Sequence, residues 1–182
     1  MRVISGTARG CALFSPQGTK TRPTSDFVKE NLFNLIRGDV YEANFLDLFA
    51  GTGAIGIEAL SRGAEAATFV DVSPKCVAVI KRNLEKTRLD RQAVVMKSDV
   101  ATAINKLSGQ KFDLIFLDPP YLQGFADRVL TAIVAQGLLA GGGYVIMEMS
   151  KLDDVPEIEG LIIFKEKEYS GTRLVFYEEG DA

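Results

Sequence analysis

The stretch "NFLDLFAGTGAIGIEALSRGAEAATFVDV", residues 44–72, decides the fold. It opens on a short apolar run with a single acid inside it, Asp47. Gly51, Gly53 and Gly56 follow in G-x-G-x-x-G spacing and open a helix that stops at Gly63. "ATFVDV" is then a second strand carrying Asp71 near its end. Strand, glycine turn, helix and strand in about 30 residues make a βαβ unit, whose two strands must be parallel.

Downstream the alternation continues. "SPKCVAVIKRNLEKTRL" (73–89) begins with Ser73 as a cap and Pro74 at the first helical position, and turns Val77, Ile80 and Leu84 inward. "AVVMKSDV" is a third strand, "ATAINKL" a short helix and "FDLIFLD" a fourth strand. "FADRVLTAIVAQGLL" predicts a helix leading to a turn at Gly141-Gly142-Gly143, and "YVIMEM" a fifth strand. Only Ser170-Gly171 separates "LIIFKEKEY" from "TRLVFYEE", so these two pair as an antiparallel hairpin at one edge, with the "KEKE" run solvated. The predicted class is α/β: a Rossmann-like, mostly parallel doubly wound sheet with an antiparallel C-terminal edge hairpin.

Upstream, Val28, Leu32, Leu35 and Ile36 fall on one face of a helix that Thr24, Ser25 and Asp26 can cap and Gly38 can end. Residues 1–23, with three glycines and two prolines, read as a small hairpin or arm attached to a main domain at 24–182. No internal repeat is visible.

Composition removes whole classes of chemistry. The 182 residues include no histidine, so a Ser-His or Cys-His nucleophile pair and a His-liganded metal are excluded. Acid-base work falls to carboxylates, Lys or Tyr. Cys11 and Cys76 make no disulfide framework, and neither follows a proline as the nucleophile of cytosine-C5 methyltransferases does. With no signal peptide and no membrane-length apolar run, a cytoplasmic protein without a membrane partner is expected. Six basic and two acidic residues fall in the first 37 positions, against 15 and 22 afterwards. A basic segment on an acidic body can mark a polyanion-binding arm or a chance run of solvated charges.

The glycine turn and Asp71, about 20 residues on, predict a nucleoside-type cofactor over the carboxyl ends of the strands. A pyrophosphate wants backbone N–H groups and no nearby anion. Asp47, four residues before Gly51, would repel one; it suits a ligand with an ammonium and a sulfonium, such as S-adenosylmethionine. Asp99, after the third strand, could accept from an adenine amino group or merely cap the next helix. Asp118-Pro119-Pro120-Tyr121 ends the fourth strand beside the switch point of such a sheet. The Asp118 carboxylate and the Pro119 carbonyl would be two rigid acceptors for an exocyclic NH2, and Tyr121 would stack on the ring that carries it. Taken alone, the same residues make an ordinary turn over a core tyrosine.

"DLFAGTGAIGIEALSRGA" with "DPPY" resembles the class I S-adenosylmethionine-dependent methyltransferases that act on exocyclic amines. "TRPTSDFVKENLFN" narrows the resemblance to the RsmD family, bacterial 16S ribosomal RNA guanine-N2 methyltransferases. The resemblance implies that Asp47, Ala50, Gly51, Thr52 and Gly53 hold the methionine end of the cofactor. It gives Asp71 and Val72 the ribose side and Ser98, Asp99 and Val100 the adenine. Asp118, Pro119, Pro120 and Tyr121 would hold the target guanine, with no metal. Arg2, Arg9 and Arg22 would contact RNA, either 16S ribosomal RNA or the assembling small subunit, and the enzyme would be a monomer. Phe27 and Lys29 stand where the family usually has arginines, which weakens an RNA role for that helix face. Tyr169 and Thr172 receive no role, and Glu148 either lines the base pocket or ends a strand. Two rivals stay open: a DNA adenine-N6 or other amino methyltransferase, and an NAD-dependent oxidoreductase.

Overall fold

The computed structural model describes residues 1–16, 26–120, 124–169 and 171–180. In chain order these form α1 (Asp26–Leu35), β1 (Asn44–Leu48), α2 (Ala54–Ser61), β2 (Ala66–Asp71), α3 (Pro74–Thr87), β3 (Ala93–Lys97), α4 (Val100–Lys106), β4 (Phe112–Leu117), α5 (Phe125–Ala135), β5 (Leu139–Ser150), β6 (Leu161–Tyr169) and β7 (Thr172–Glu179). The sheet order is β3-β2-β1-β4-β5-β7-β6. Strands β1 to β5 pair in parallel, and β7 lies antiparallel between β5 and β6. The chain therefore winds outward from β1 to β3 and then crosses to β4. The β1/β4 boundary is the switch point, where the loops beyond adjacent strands diverge and leave a crevice.

Helices cover both faces, so the central strands carry apolar residues on both. On one face, Phe45, Phe69, Leu114, Phe116 and Ile146 pack with α1, α2, α3 and with Val3 and Leu13 of the N-terminal segment. On the other, Leu46, Leu48, Ile115, Leu117 and Val145 pack with α4 and α5. Among the described residues no helix is long and apolar enough to cross a membrane.

The glycine triplet corrects the sequence reading. The helix ends at Ala135, and Gly141–Gly143 lie inside β5. Phe112 pairs with Leu139 and Leu114 with Tyr144, so β5 spends five residues where β4 spends two. The glycines form a bulge rather than a turn. At Gly143 an added Cβ would lie 2.8 Å from the Phe112 carbonyl oxygen, which leaves room for no side chain.

One buried carboxylate stitches the start of the N-terminal segment to the body. Glu58 of α2 accepts from the Ile4 amide (2.8 Å), the Ser5 amide (2.9 Å), Arg62 Nε (2.8 Å) and Lys29 Nζ (3.1 Å). Lys29 also donates to the Arg2 carbonyl at 2.5 Å. Lys29 and Glu58 are both wholly buried. Two cations and two amides satisfy the carboxylate, which is the condition for a charge to sit there. Lys29 thus works inside the protein, not on an RNA-facing helix surface.

Candidate active site

Period-2 alternation and parallel register put four carboxyls on one face of the sheet. Asp47 is level with Phe69 on β2 and with Phe116 on β4. Asp71 and Asp118 follow those phenylalanines by two residues, and Glu148 follows Ile146, the register partner of Phe116, by two. Side chains two apart in a strand point the same way. Asp71, Asp118 and Glu148 therefore line the carboxyl edge of three strands, and Asp47 lies about 6–7 Å deeper, as a floor between Asp71 and Asp118.

Burial sets the titration of Asp47 and Asp118. Asp47 is 2% exposed and its carboxyl is pushed up to about 7, chiefly by burial and further by Asp71 and Asp118. The Gly56 amide, donating to its Oδ2 at 3.0 Å, opposes that rise. Asp118 is also pushed up to about 7, by burial first and then by Glu148.

The glycine turn is built around the same acids. Asp71 accepts from the Gly51 amide through Oδ2 and from the Ser73 amide through Oδ1, each at 2.8 Å. Gly56 lies against β2: an added Cβ would meet the Phe69 ring at 2.3 Å. Gly51 differs, with a φ of 56° and nothing closer than 3.9 Å to an added Cβ. Its α-carbon borders open space beside Asp71, which holds its amide. Ala50, Thr52 and Gly53 continue this loop, and Gly53 is the left-handed residue before α2.

Beyond β2, Val72 is 67% exposed, an apolar surface at the rim. The Ser98 amide donates to the Asp71 carbonyl, which ties the loop after β3 to this rim. Asp99 caps α4, accepting from the Thr102 amide at 2.9 Å, and that bond holds its carboxyl below the usual range. Val100, the first residue of α4, is buried. Past β4, Pro119 is buried and Pro120 exposed. Tyr121 and Arg22 lie outside the described residues. Arg2 and Arg9 are exposed on the N-terminal segment, whose Val3 and Leu13 pack on the face of the sheet that carries the carboxyls.

An anionic arc beside a glycine turn with an open α-carbon suits a cationic nucleoside. The family model described as conserved hypothetical protein 95 matches residues 1–178. The chain belongs to this family, the RsmD family. YlbH of Bacillus subtilis (strain 168), an rRNA methyltransferase candidate by name, is 39% identical over 182 residues, 98% of this chain and 99% of its own. Ribosomal RNA small subunit methyltransferase D of Escherichia coli (strain K12) is 31% identical over 158 residues, 87% of this chain and 79% of its own. The solved structure of yhhF from Escherichia coli, a methyltransferase candidate by title, superposes with a TM-score of 0.88 at 29% identity, over 98% of this chain and 97% of that one.

At this RsmD-family site, sequence alone leaves Glu148 open between the base pocket and a strand end, and it misses Asn83. Glu148 is 8% exposed and stands against Asp118. Its alternation with Ile146 in "VIMEM" was the available signal. Asn83, wholly buried on α3, donates from Nδ2 to the Thr52 carbonyl (2.9 Å) and the Phe14 carbonyl (3.1 Å), and accepts from the Phe14 amide (2.8 Å). It joins the glycine turn to the N-terminal segment. An amide among Ile80, Leu84 and Thr87 on one helical face was its signal. Cys76, also on α3, is buried with its thiol pushed up by that burial, which suits packing and not a nucleophile.

Proposed function

We propose that this chain transfers a methyl group from S-adenosylmethionine to the exocyclic N2 amine of a guanine in small-subunit ribosomal RNA. One observation carries the reading: Asp47, Asp71 and Asp118 share one face at the carboxyl ends of neighbouring strands, beside the open Gly51 turn. The named activity of the Escherichia coli relative supports ribosomal RNA as the substrate class.

The residues present fit that cofactor. A buried carboxyl favours an ammonium over a phosphate, and Gly51 offers a bare α-carbon facing open space. S-adenosylmethionine, when bound, supplies an electrophilic methyl group carried on a cationic sulfur. The chain's part is placement. Asp47 anchors the cationic end, Asp71 accepts from ribose hydroxyls, and the exposed Val72 side chain covers an adenine face. Asp118 and the Pro119 carbonyl accept from the two hydrogens of the amine, which turns its lone pair toward the methyl carbon. Such orientation can supply much of the rate. The nitrogen then carries an extra proton, and Asp118, poised near neutral pH, is placed to take it or pass it to water.

The test is mass-spectrometric mapping of N2-methylguanine in 16S ribosomal RNA from cells with and without this protein. Loss of one N2-methylguanine without it is the expected result, and unchanged content would overturn the reading. Asp118→Asn should lower kcat by roughly 100-fold, the scale of a misplaced reacting group, with S-adenosylhomocysteine affinity nearly unchanged. Normal turnover by that variant would remove Asp118 from the mechanism. Tight binding of NADH and none of S-adenosylhomocysteine would favour the oxidoreductase reading.

A further inference from the structure

Charge in this chain is segregated in a way that becomes visible only in the fold. Segments 1–37 and 73–97 together hold 13 of the 21 basic residues and four of the 24 acidic ones. Their net charge is +9, against −12 for everything else. The two segments are far apart in sequence, yet the fold joins them. Asn83 pairs with both the amide and the carbonyl of Phe14, and Lys86 Nζ donates to the Ala12 carbonyl at 2.6 Å. The Arg82 guanidinium lies 3.6 Å from the centre of the Phe14 ring, with Lys86 Nζ 4.4 Å away.

On α3, Lys75, Arg82 and Lys86 are separated by seven and four residues. At 100° per residue they fall within about 40° of one another, in a stripe about 16 Å long. All three are exposed, and Glu85, the one acid in α3, projects about 80° to one side of the stripe's axis. Lys75 lies four residues after Asp71, so the stripe starts at the rim of the site. Exposed Arg2 is the bridge partner of Ala12, whose carbonyl accepts from Lys86, and Arg9 is exposed on the same N-terminal segment. A guanidinium stacked on a ring is pre-oriented, and its N–H edges stay open to a phosphate.

We infer that Lys75, Arg82 and Lys86 of α3, with Phe14 as the platform for Arg82, form a second RNA-binding track that continues the N-terminal segment's basic surface and takes the phosphate backbone flanking the target nucleotide. This rests on the ribosomal RNA reading above. It adds a tract that the bulk charge of −3 conceals. Phosphate contacts of this kind position a nucleic acid without reading its sequence. Asn83 gives the track a mechanical link to the cofactor turn, since one side chain holds Phe14 and Thr52 together.

The test compares the full-length protein with the variant K75A/R82A/K86A on unmethylated small subunits and on naked 16S ribosomal RNA. The KM for RNA should rise about tenfold or more, and the slope of log affinity against log salt should shrink by about 2, near 0.7 for each lost contact to single-stranded phosphates. S-adenosylhomocysteine affinity should stay at the parent value, which also shows that the variant is folded. R82A alone should produce part of the effect and Arg82→Lys less of it. K111A/K167A, on distant exposed positions, should change nothing. An unchanged KM and salt slope would overturn the inference. So would a variant that loses affinity for subunits but not for naked RNA, because the surface would then meet a protein. If the parent enzyme methylates no ribosomal RNA, the functional reading fails first, while an intact salt slope of the triple variant on RNA still decides the track separately.

Discussion

Asp47 and Asp118 carry the pH dependence of the site. Both carboxyls ionise near pH 4 in an unfolded chain, and burial pushes each up to about 7 in the fold. Between those values the folded protein holds more protons than the unfolded one, so stability falls as pH rises from about 4 to about 7. The ligand-free protein should therefore melt at a lower temperature at pH 8 than at pH 5, and Asp47→Asn should flatten the difference. A cationic ligand reverses the balance, because only ionised Asp47 attracts an ammonium. Affinity for S-adenosylhomocysteine should rise about tenfold from pH 6 to pH 8, following the ionised fraction of a group near 7. Isothermal titration at the two pH values checks this, and a flat response would remove Asp47 as the anchor. Glu148 acts on the neighbouring acid. Glu148→Gln deletes a like charge and should bring the Asp118 carboxyl below 7 by carbon NMR, still above its ordinary value because burial, the larger cause, remains.

The βαβ element at 44–71 shows how far local sequence carries and where it stops. Gly56 of α2 lies on the Phe69 ring of β2, and an added Cβ at 2.3 Å has nowhere to go. Gly56→Ala should cost about 1–3 kcal/mol through overpacking, despite alanine's better helix propensity. Thermal melting reads that loss, and a stabilised variant would show that the helix–strand approach is not tight. This contact was legible because the third glycine of such a turn is placed for close packing. The parallel strands were legible because their residues are buried from both sides. Gly141–Gly143 were misread because three glycines look the same in a turn and in a bulge, and only the pairing of Phe112 with Leu139 separates the two. Asp99 stayed ambiguous because an acid before a helix both caps it and faces the strand ends; the Thr102 bond shows the cap. Lys29 was read as a departure from a basic surface. Its buried partner, Glu58, lies 29 positions away, which no local pattern reveals.

At the scale of the whole molecule, Glu58 joins three parts: the N-terminal segment through the Ile4 and Ser5 amides, α1 through Lys29, and its own helix α2, whose C-cap Arg62 braces it. A buried pair broken on one side leaves an uncompensated charge, at a cost of about 3–5 kcal/mol. Lys29→Met should fall at the low end of that range, since Arg62 and two amides still hold Glu58. The loss should be local in its first effect. Residues 4–8 are held by this carboxylate and by the Ser61 hydroxyl, which donates to the Ser5 carbonyl and accepts from the Ala8 amide, while Asn83 and Lys86 hold the segment farther on at Phe14 and Ala12; the strands under the carboxyl arc are held by continuous ladders. Hydrogen exchange at Ile4 and Ser5 should therefore accelerate far more than at Phe45 or Phe116. RNA affinity should drop with the released Arg2 and Arg9, and S-adenosylhomocysteine affinity should drop less. Lys29→Met/Glu58→Gln removes the charge along with its partner, so it should be less destabilised than the sum of the single changes, with a coupling above about 1 kcal/mol. Additive costs in that cycle, or uniform acceleration of exchange, would mean that the segment is held by its apolar contacts at Val3 and Leu13 and not by the carboxylate.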